Sequence, residues 1–281
     1  PGFINFKIHE STILSRVREI LTSDRVGVEK TLRPEKILID FSSPNIAKPM
    51  HIGHIRSTII GDCLQRVANF LGHDVISDNH IGDWGTPIGQ VIYGWKHELN
   101  ETAFNEDPIK ELLRLYQLIK EQFESDPKVK NACLDETVKL QSGNNESIKL
   151  WNQFKEITLS EAQKIYDRLA IKFDLTLGES FYHDQLGPLV DELLSTGIAE
   201  ISDDAVCIFS KNELEPKNDP LLVNRDSQWT PVPCMIRKKD GGFNYATTDI
   251  ATIDHRINEL GADRFLYVVD DRQSLHFRLL F

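Results

Sequence analysis

Cysteine is scarce here: four in 281 residues, with Cys63, Cys133, Cys207 and Cys234 far apart and in no paired spacing. That pattern argues against a zinc knuckle or a disulfide framework and fits a reducing compartment. The apolar stretches are only a few residues long, well short of the roughly 20 needed to span a bilayer. No charged-then-apolar leader opens the chain, so the expectation is a soluble, cytoplasmic protein with no membrane partner. Positive charge is in deficit, with 32 Lys and Arg against 43 Asp and Glu and a net charge of -11. A surface that grips nucleic acid everywhere is therefore not expected, because phosphate contacts come from Lys and Arg; any RNA contact must be local.

What is present is ordinary for a globular protein: 40% of residues are hydrophobic, and 281 residues predict one large domain or two. The chain begins at Pro1 rather than Met and stops at Phe281 inside a helical pattern, so it reads as a piece of a longer protein. Alternation over residues 3–8 predicts a short edge strand, and Ser11 or Thr12 a cap for a helix reaching Leu21. Ile37, Leu38 and Ile39 with Phe41, closed by Ser42, Ser43 and Pro44, predict a buried strand ending in a loop. A helix follows from about Gly53, with Ile60, Leu64, Val67 and Leu71 at helical spacing and Gly72 placed to end it. Residues 74–79 predict a second strand. Strand, helix, strand is the opening of a doubly wound parallel sheet.

Between about Asn100 and Ala170 the pattern becomes amphipathic helix, with Ile109, Leu112, Leu113, Tyr116, Ile119 and Phe123 on one stripe. This reads as an inserted helical module; the competing reading makes these helices layers of the main domain. From Phe173 strands and helices alternate again. Arg264 to Val269 predicts a buried strand running into Asp270, Asp271, Arg272 and Gln273.

The segment FSSPNIAKPMHIGHIRSTIIGD, Phe41 to Asp62, carries most of the chemistry. Its loop brings Lys48 forward, as a phosphate partner or simply as a solvated lysine. His51 and His54 sit three apart at a helix mouth and share one face, where free backbone N–H groups and the positive dipole end favour an anion. Gly53 between them leaves room for a flat adenine or a phosphate against the backbone. Two imidazoles in this position serve as metal ligands, as general bases or as donors to a phosphate. No third ligand with metal-site spacing stands nearby, so no metal is expected. The donor role, stabilising charge on an α-phosphate under attack, is the preferred one. Two capping histidines without function remain the plainer alternative for a lone HxxH.

The tetrapeptide His51, Ile52, Gly53, His54 is similar to the HIGH signature of class I aminoacyl-tRNA synthetases, and SPNIAKPMHIGHIRSTIIGD resembles the arginyl-tRNA synthetase form of it. HIGDWGTPIGQ, His80 to Gln90, resembles that family's next block, although by itself it reads equally as a structural turn into a helix beginning at Thr86 and Pro87. The resemblance covers nearly the whole chain and is weakest in the helical segment. It implies an α/β, class I Rossmann-like nucleotide-binding domain (29–100 and 171–281) split by a helical connective insertion (101–170), with 1–28 a link from an N-terminal domain.

In FNYATTDIATIDHR, Tyr245 and Asp249 are four apart, so a helix beginning near Thr247 would turn both toward one pocket. A guanidinium is planar and permanently charged, and a carboxylate with a tyrosine hydroxyl suits it; without the family, Asp249 reads as a plain helix-start carboxylate. The resemblance implies that Tyr245 and Asp249 bind the arginine side chain, joined by Asp40, Ser43, Asn45, His54 and Gln273. It places His276 near the nucleotide, with an idle helix histidine as the rival reading. It further implies ATP-dependent activation of L-arginine and transfer to tRNA(Arg), with magnesium arriving on ATP and no protein-held metal; the oligomeric state is left open by the sequence, with a monomer the expectation. Neither the family's KMSKS-like lysine loop nor a basic anticodon-reading domain occurs in these 281 residues, an absence that truncation explains. A small nucleotidyltransferase with the same histidine pair, or a non-catalytic arginine- or tRNA-binding module, are the rivals.

Overall fold

A computed structural model describes residues 2–281; Pro1, part of the expected N-terminal link, lies outside them. Residues 3–8 form no strand: Phe3, Ile4, Phe6 and Ile8 are exposed, and no neighbouring strand offers them a ladder. Helix α1 (Glu10–Thr22) starts earlier than Ser11 predicts, because the His9 side chain caps it by accepting the Ser11 N–H. None of its residues is buried.

Strand β1 (Lys36–Asp40), helix α2 (Ile52–Leu71) and strand β2 (Asp74–Asp78) realise the expected strand, helix, strand unit. β1 and β2 pair in parallel, Lys36 opposite Asp74 through Asp40 opposite Asp78. Gly72 ends α2 with φ of 92°, donating to the Ala68 and Asn69 carbonyls, a left-handed cap that glycine adopts without a Cβ penalty.

Five helices follow: α3 (Thr86–Glu98), α4 (Glu101–Glu106), α5 (Pro108–Ser125), α6 (Pro127–Gln141) and α7 (Asn145–Leu169). α5 and α6 start at prolines, where a missing N–H costs nothing, behind capping aspartates Asp107 and Asp126. The α5 stripe buries Ile109, Leu112, Leu115 and Ile119, while Leu113, Tyr116 and Phe123 are half-buried at its flanks. α3 packs against both α5 and α6, so the helical layer also draws in an element upstream of residue 101. Its apolar core joins Val91, Ile92, Leu112, Leu140 and Phe154 to Ile46, Ala47 and Ile81 from the loops beyond the sheet strands.

After α8 (His183–Ser195), β3 (Glu200–Ser202), β4 (Ala205–Ile208) and β7 (Cys234–Arg237) form an antiparallel sheet ordered β3-β4-β7, interrupted by the hairpin β5 (Leu222–Arg225) and β6 (Gln228–Pro231). Helix α9 (Tyr245–Asn258) begins two residues before Thr247, capped by Asn244. Strand β8 (Arg264–Tyr267) then returns beside β1, in parallel, giving the order β2-β1-β8. It stops two residues short of Val269 and is half-buried rather than buried, since only β1 flanks it among the described strands. α10 (Ser274–Leu280) closes the described chain. The architecture is α/β with a parallel sheet, as expected.

Candidate active site

β1, α2, β2 and β8 run so that the carboxyl ends of the parallel strands, the mouth of α2 and the start of α9 lie on one side, the place where open α/β sheets bind ligands. At the helix mouth, His51 is the N-cap of α2. Its Nδ1 accepts the Gly53 N–H at 3.1 Å, while His54 Nδ1 accepts the His51 N–H at 3.3 Å. The two rings stack with centroids 3.9 Å apart. Both Nδ1 atoms accept from backbone, so each neutral ring carries its proton on Nε2 and keeps that donor free. Burial, with the neighbouring His51 and Lys48 charges, lowers His54 to about 4. A Cβ at Gly53 would lie 2.9 Å from His51 Cε1, so the glycine lets the His51 ring fold back over the helix start.

Asp40, at the end of β1, is buried and has no free carboxylate oxygen: Oδ1 accepts the Ser43 hydroxyl at 3.0 Å and Oδ2 accepts Arg256 Nη2 at 2.6 Å. The same Nη2 reaches Asp78 Oδ2 at 2.7 Å. Arg256 is fully buried, and its Nε and Nη1 have no partner. Burial disfavours its charge, yet Asp40, Tyr267 and Asp78 outweigh that and hold the guanidinium charged. Burial pushes the Asp78 carboxyl upward against the pull of Arg256. Sequence reasoning missed this ion pair, because Arg256 lies far along the chain on an ordinary helical stripe.

Tyr245, Asp249 and His276 come together. His276 Nε2 lies 2.6 Å from Asp249 Oδ2, and the Tyr245 ring stands edge-on to His276 with centroids 4.7 Å apart. Gln273, on a short 3-10 turn (Asp271–Gln273), is exposed. That turn is tied to α2 by Arg56 donating to Asp270 at 2.9 Å.

A cavity of about 650 Å³ opens between the helical layer and the start of α9, lined by Asn45, Lys48, Trp84, Glu179, Tyr245 and Thr248 among others. Of the expected site residues, Asn45, Lys48 and Tyr245 line it; the histidine pair, Asp40, Ser43, Asp249, Gln273 and His276 do not. Lys48 Nζ sits 3.8 Å over the Tyr116 ring centroid. The GDWG segment is part of the wall, and Trp84 Nε1 donates to His183 Nδ1 at 3.0 Å. Glu179 was not foreseen. Burial pushes its carboxyl up to about 7, helped by Asp83 and Asp249 and opposed by His80. Its only signal in the sequence was an acid before an aromatic pair, Phe181 and Tyr182, which does not point to a site.

These elements can hold a phosphate at a helix N-terminus beside a cavity whose charged lining includes Glu179, Asp240, Lys48 and Lys238. A family model described as tRNA synthetases class I (R), catalytic domain, matches residues 16–281. The chain belongs to this family. Among proteins similar to it, the arginine–tRNA ligase of Rhodopirellula baltica is 37% identical over 366 residues, covering all of this chain and 52% of the relative. That of Crocosphaera subtropica is 41% identical over 283 residues, covering 46% of the relative. The crystal structure of the arginyl-tRNA synthetase of Plasmodium falciparum superposes with a TM-score of 0.69 at 34% identity, covering 89% of this chain and 40% of that one. The Thermus thermophilus arginyl-tRNA synthetase shares the fold, with a TM-score of 0.61 at 18% identity over 87% of this chain and 39% of its own. The chain spans about half the length of the curated relatives it matches. Among the described residues no cluster of three His, Cys, Asp or Glu suits a metal, and no helix is long and apolar enough to cross a membrane.

Proposed function

We propose that the protein carrying this chain is an arginine–tRNA ligase. The arginine carboxylate attacks the α-phosphate of ATP, brought in as its magnesium complex, to give arginyl-adenylate and pyrophosphate, and the tRNA terminal adenosine then takes the arginyl group. One observation carries the reading toward arginine: the cavity beside the helix mouth has Glu179 and Tyr245 in its wall, and Asp249 is close enough to raise the Glu179 carboxyl. A carboxyl whose ionisation is disfavoured in the empty site gains a partner in a planar cation that bonds carboxylates in pairs.

His51 and His54 offer Nε2–H donors to the phosphates, with Lys48 beside them. Tyr245, Asp249 and Glu179 receive the guanidinium. Asp40 reaches arginine only through the Ser43 hydroxyl it orients, because Arg256 holds its other oxygen. Asn45 and Gln273 complete the amino-acid site. We read 29–100 and 171–281 as two halves of one nucleotide-binding domain around 101–170, a division supported by β8 returning beside β1. A reducing, cytoplasmic compartment suits a chain with four free cysteines, and we read the protein as a monomer.

The test is arginine-dependent pyrophosphate exchange by the longer protein with tRNA present. Asp249→Asn and Glu179→Gln should each raise the KM for arginine about tenfold or more, since a charge-assisted pair becomes a neutral one, and leave the KM for ATP alone. Arginine binding with no exchange in the parent would instead mean a non-catalytic arginine-binding module. Exchange that ignores arginine would mean another nucleotidyl transfer.

A further inference from the structure

The loop joining β1 to α2 carries Ser43, Asn45 and Lys48 and follows directly on Asp40, yet its backbone is held in an unfavoured conformation. Ser42, Ser43 and Ala47 have φ of 77°, 48° and 62°, in the left-handed region that residues with a Cβ seldom occupy. Such residues are strained and persist only where the surroundings over-determine them. Pro44, within the same turn, adds no donor to hold it.

Backbone pairing with Gly82 holds the middle of the loop, Ile46 N–H to the Gly82 carbonyl at 3.0 Å and Gly82 N–H to the Pro44 carbonyl at 3.1 Å, while side-chain contacts at the three left-handed residues lead to one element far along the chain. The Tyr166 hydroxyl, on α7, pairs with Ser42 Oγ at 2.8 Å and accepts from Asn79 Nδ2 at 3.2 Å, and Asn79 Oδ1 in turn accepts the Ser43 N–H at 3.1 Å. Eight residues earlier on α7, Thr158 Oγ1 accepts the Ala47 N–H at 2.9 Å. All three left-handed residues are therefore tied, directly or through Asn79, to α7, and Tyr166 and Thr158 are each only 3% exposed, so water cannot replace them. The same helix braces the opposite wall. Lys155 Nζ donates to Asp83 Oδ2 at 2.7 Å and Trp151 Nε1 to the Asp83 carbonyl at 2.7 Å, while Asp83 accepts the N–H and hydroxyl of Ser180, next to Glu179.

We infer that Tyr166 and Thr158 are positioning residues for the arginine-binding loop, and that α7 sets the spacing between Ser43 on one side of the amino-acid site and Glu179 on the other. Neither side chain lines the cavity; they act through the backbone they hold. This gives the helical layer a task in arginine binding, and it rests on the arginine reading above.

Three variants of the longer protein test it: Thr158→Val, which keeps the shape and removes the acceptor; Thr158→Ser, which restores it; and Tyr166→Phe. Leaving a buried N–H or hydroxyl unpaired is typically worth about a tenfold change. Thr158→Val and Tyr166→Phe should therefore raise the arginine KM about tenfold in pyrophosphate exchange, with the ATP KM within about twofold of the parent. Thr158→Ser should stay close to the parent. Amide hydrogen exchange reads the brace without relying on activity: residues 42–47 should lose protection in Thr158→Val and Tyr166→Phe and keep it in Thr158→Ser. Retained protection in both disruptive variants overturns the inference. So does lost protection with an unchanged arginine KM, or a joint rise in both KM values, which would mean general loosening. If the parent shows no arginine dependence while protection is lost as expected, the arginine reading falls, the inference about arginine falls with it, and only the brace stands.

Discussion

His276 places Nε2 2.6 Å from Oδ2 of Asp249, so one oxygen of the carboxylate assigned to arginine is already engaged by the chain itself. A carboxylate only accepts, hence Nε2 carries the proton and Oδ1 is left for a ligand. This position favours a role at the arginine end of the site over the nucleotide contact that resemblance suggested. His276→Phe keeps an aromatic edge for Tyr245 but removes the donor, and should raise the arginine KM about tenfold, the worth of one hydrogen bond to a charged group at roughly 1.5 kcal/mol. His276→Gln, which carries a donor at similar reach, should lose less. Steady-state exchange kinetics decide it: a rise confined to the ATP KM returns His276 to the nucleotide.

Glu179, raised to about 7, should make arginine binding release protons. The incoming guanidinium lowers the carboxyl below its free value, so between the two values a proton leaves on binding. Release should approach one proton per arginine near pH 6 and vanish above pH 8, where Glu179 is already ionised. Calorimetry in buffers of differing ionisation enthalpy measures it. Glu179→Gln should abolish the release. The same shift acts on stability: the folded carboxyl holds a proton that the unfolded one loses near pH 4.5, so stability falls as pH rises from there to about 7. The Gln variant should escape that fall.

His54, lowered to about 4, stays neutral across the physiological range. Its folded value lies below the unfolded 6.5, so its contribution is present above that value and is lost as pH falls toward 4. In catalysis, His54→Ala in the longer protein should reduce kcat for activation by about a hundredfold, roughly 3 kcal/mol for one preorganised donor, more than it raises the KM for ATP. His54→Asn should lose less. A full-rate alanine variant in the exchange assay would remove His54 from catalysis.

Arg256 pairs with two buried carboxylates at once, Asp40 and Asp78. Arg256→Met should destabilise the fold by about 3–5 kcal/mol, because Asp40 and Asp78 are left as buried charges without a partner. The loss should shrink as pH falls, since protonated carboxyls need no partner. Urea unfolding of parent and variant at pH 5 and pH 8 checks both statements.

Much of this was readable from order along the chain. The strand, helix, strand opening follows from apolar spacing and from Gly72, and the histidine pair from its place at a helix start. The readings that failed are instructive. The residues 3–8 alternate as a strand does, but a strand exists only where another offers its backbone groups, and here none does. His9 rather than Ser11 caps α1, since an imidazole accepts as well as a hydroxyl when its geometry allows.

By itself the sequence determined the opening strand, helix, strand unit, the parallel α/β class and the family, because period, caps and contiguous motifs are written in neighbouring residues. Only the tertiary structure decided which charges meet. Asp40 looked like a ligand for arginine, and Arg256, 216 residues away, occupies one of its oxygens. Glu179 looked like nothing, and burial beside Asp83 and Asp249 lifted its carboxyl to about 7. Burial and long-range pairing depend on what the fold brings within a few ångströms, and no spacing along the chain records that distance.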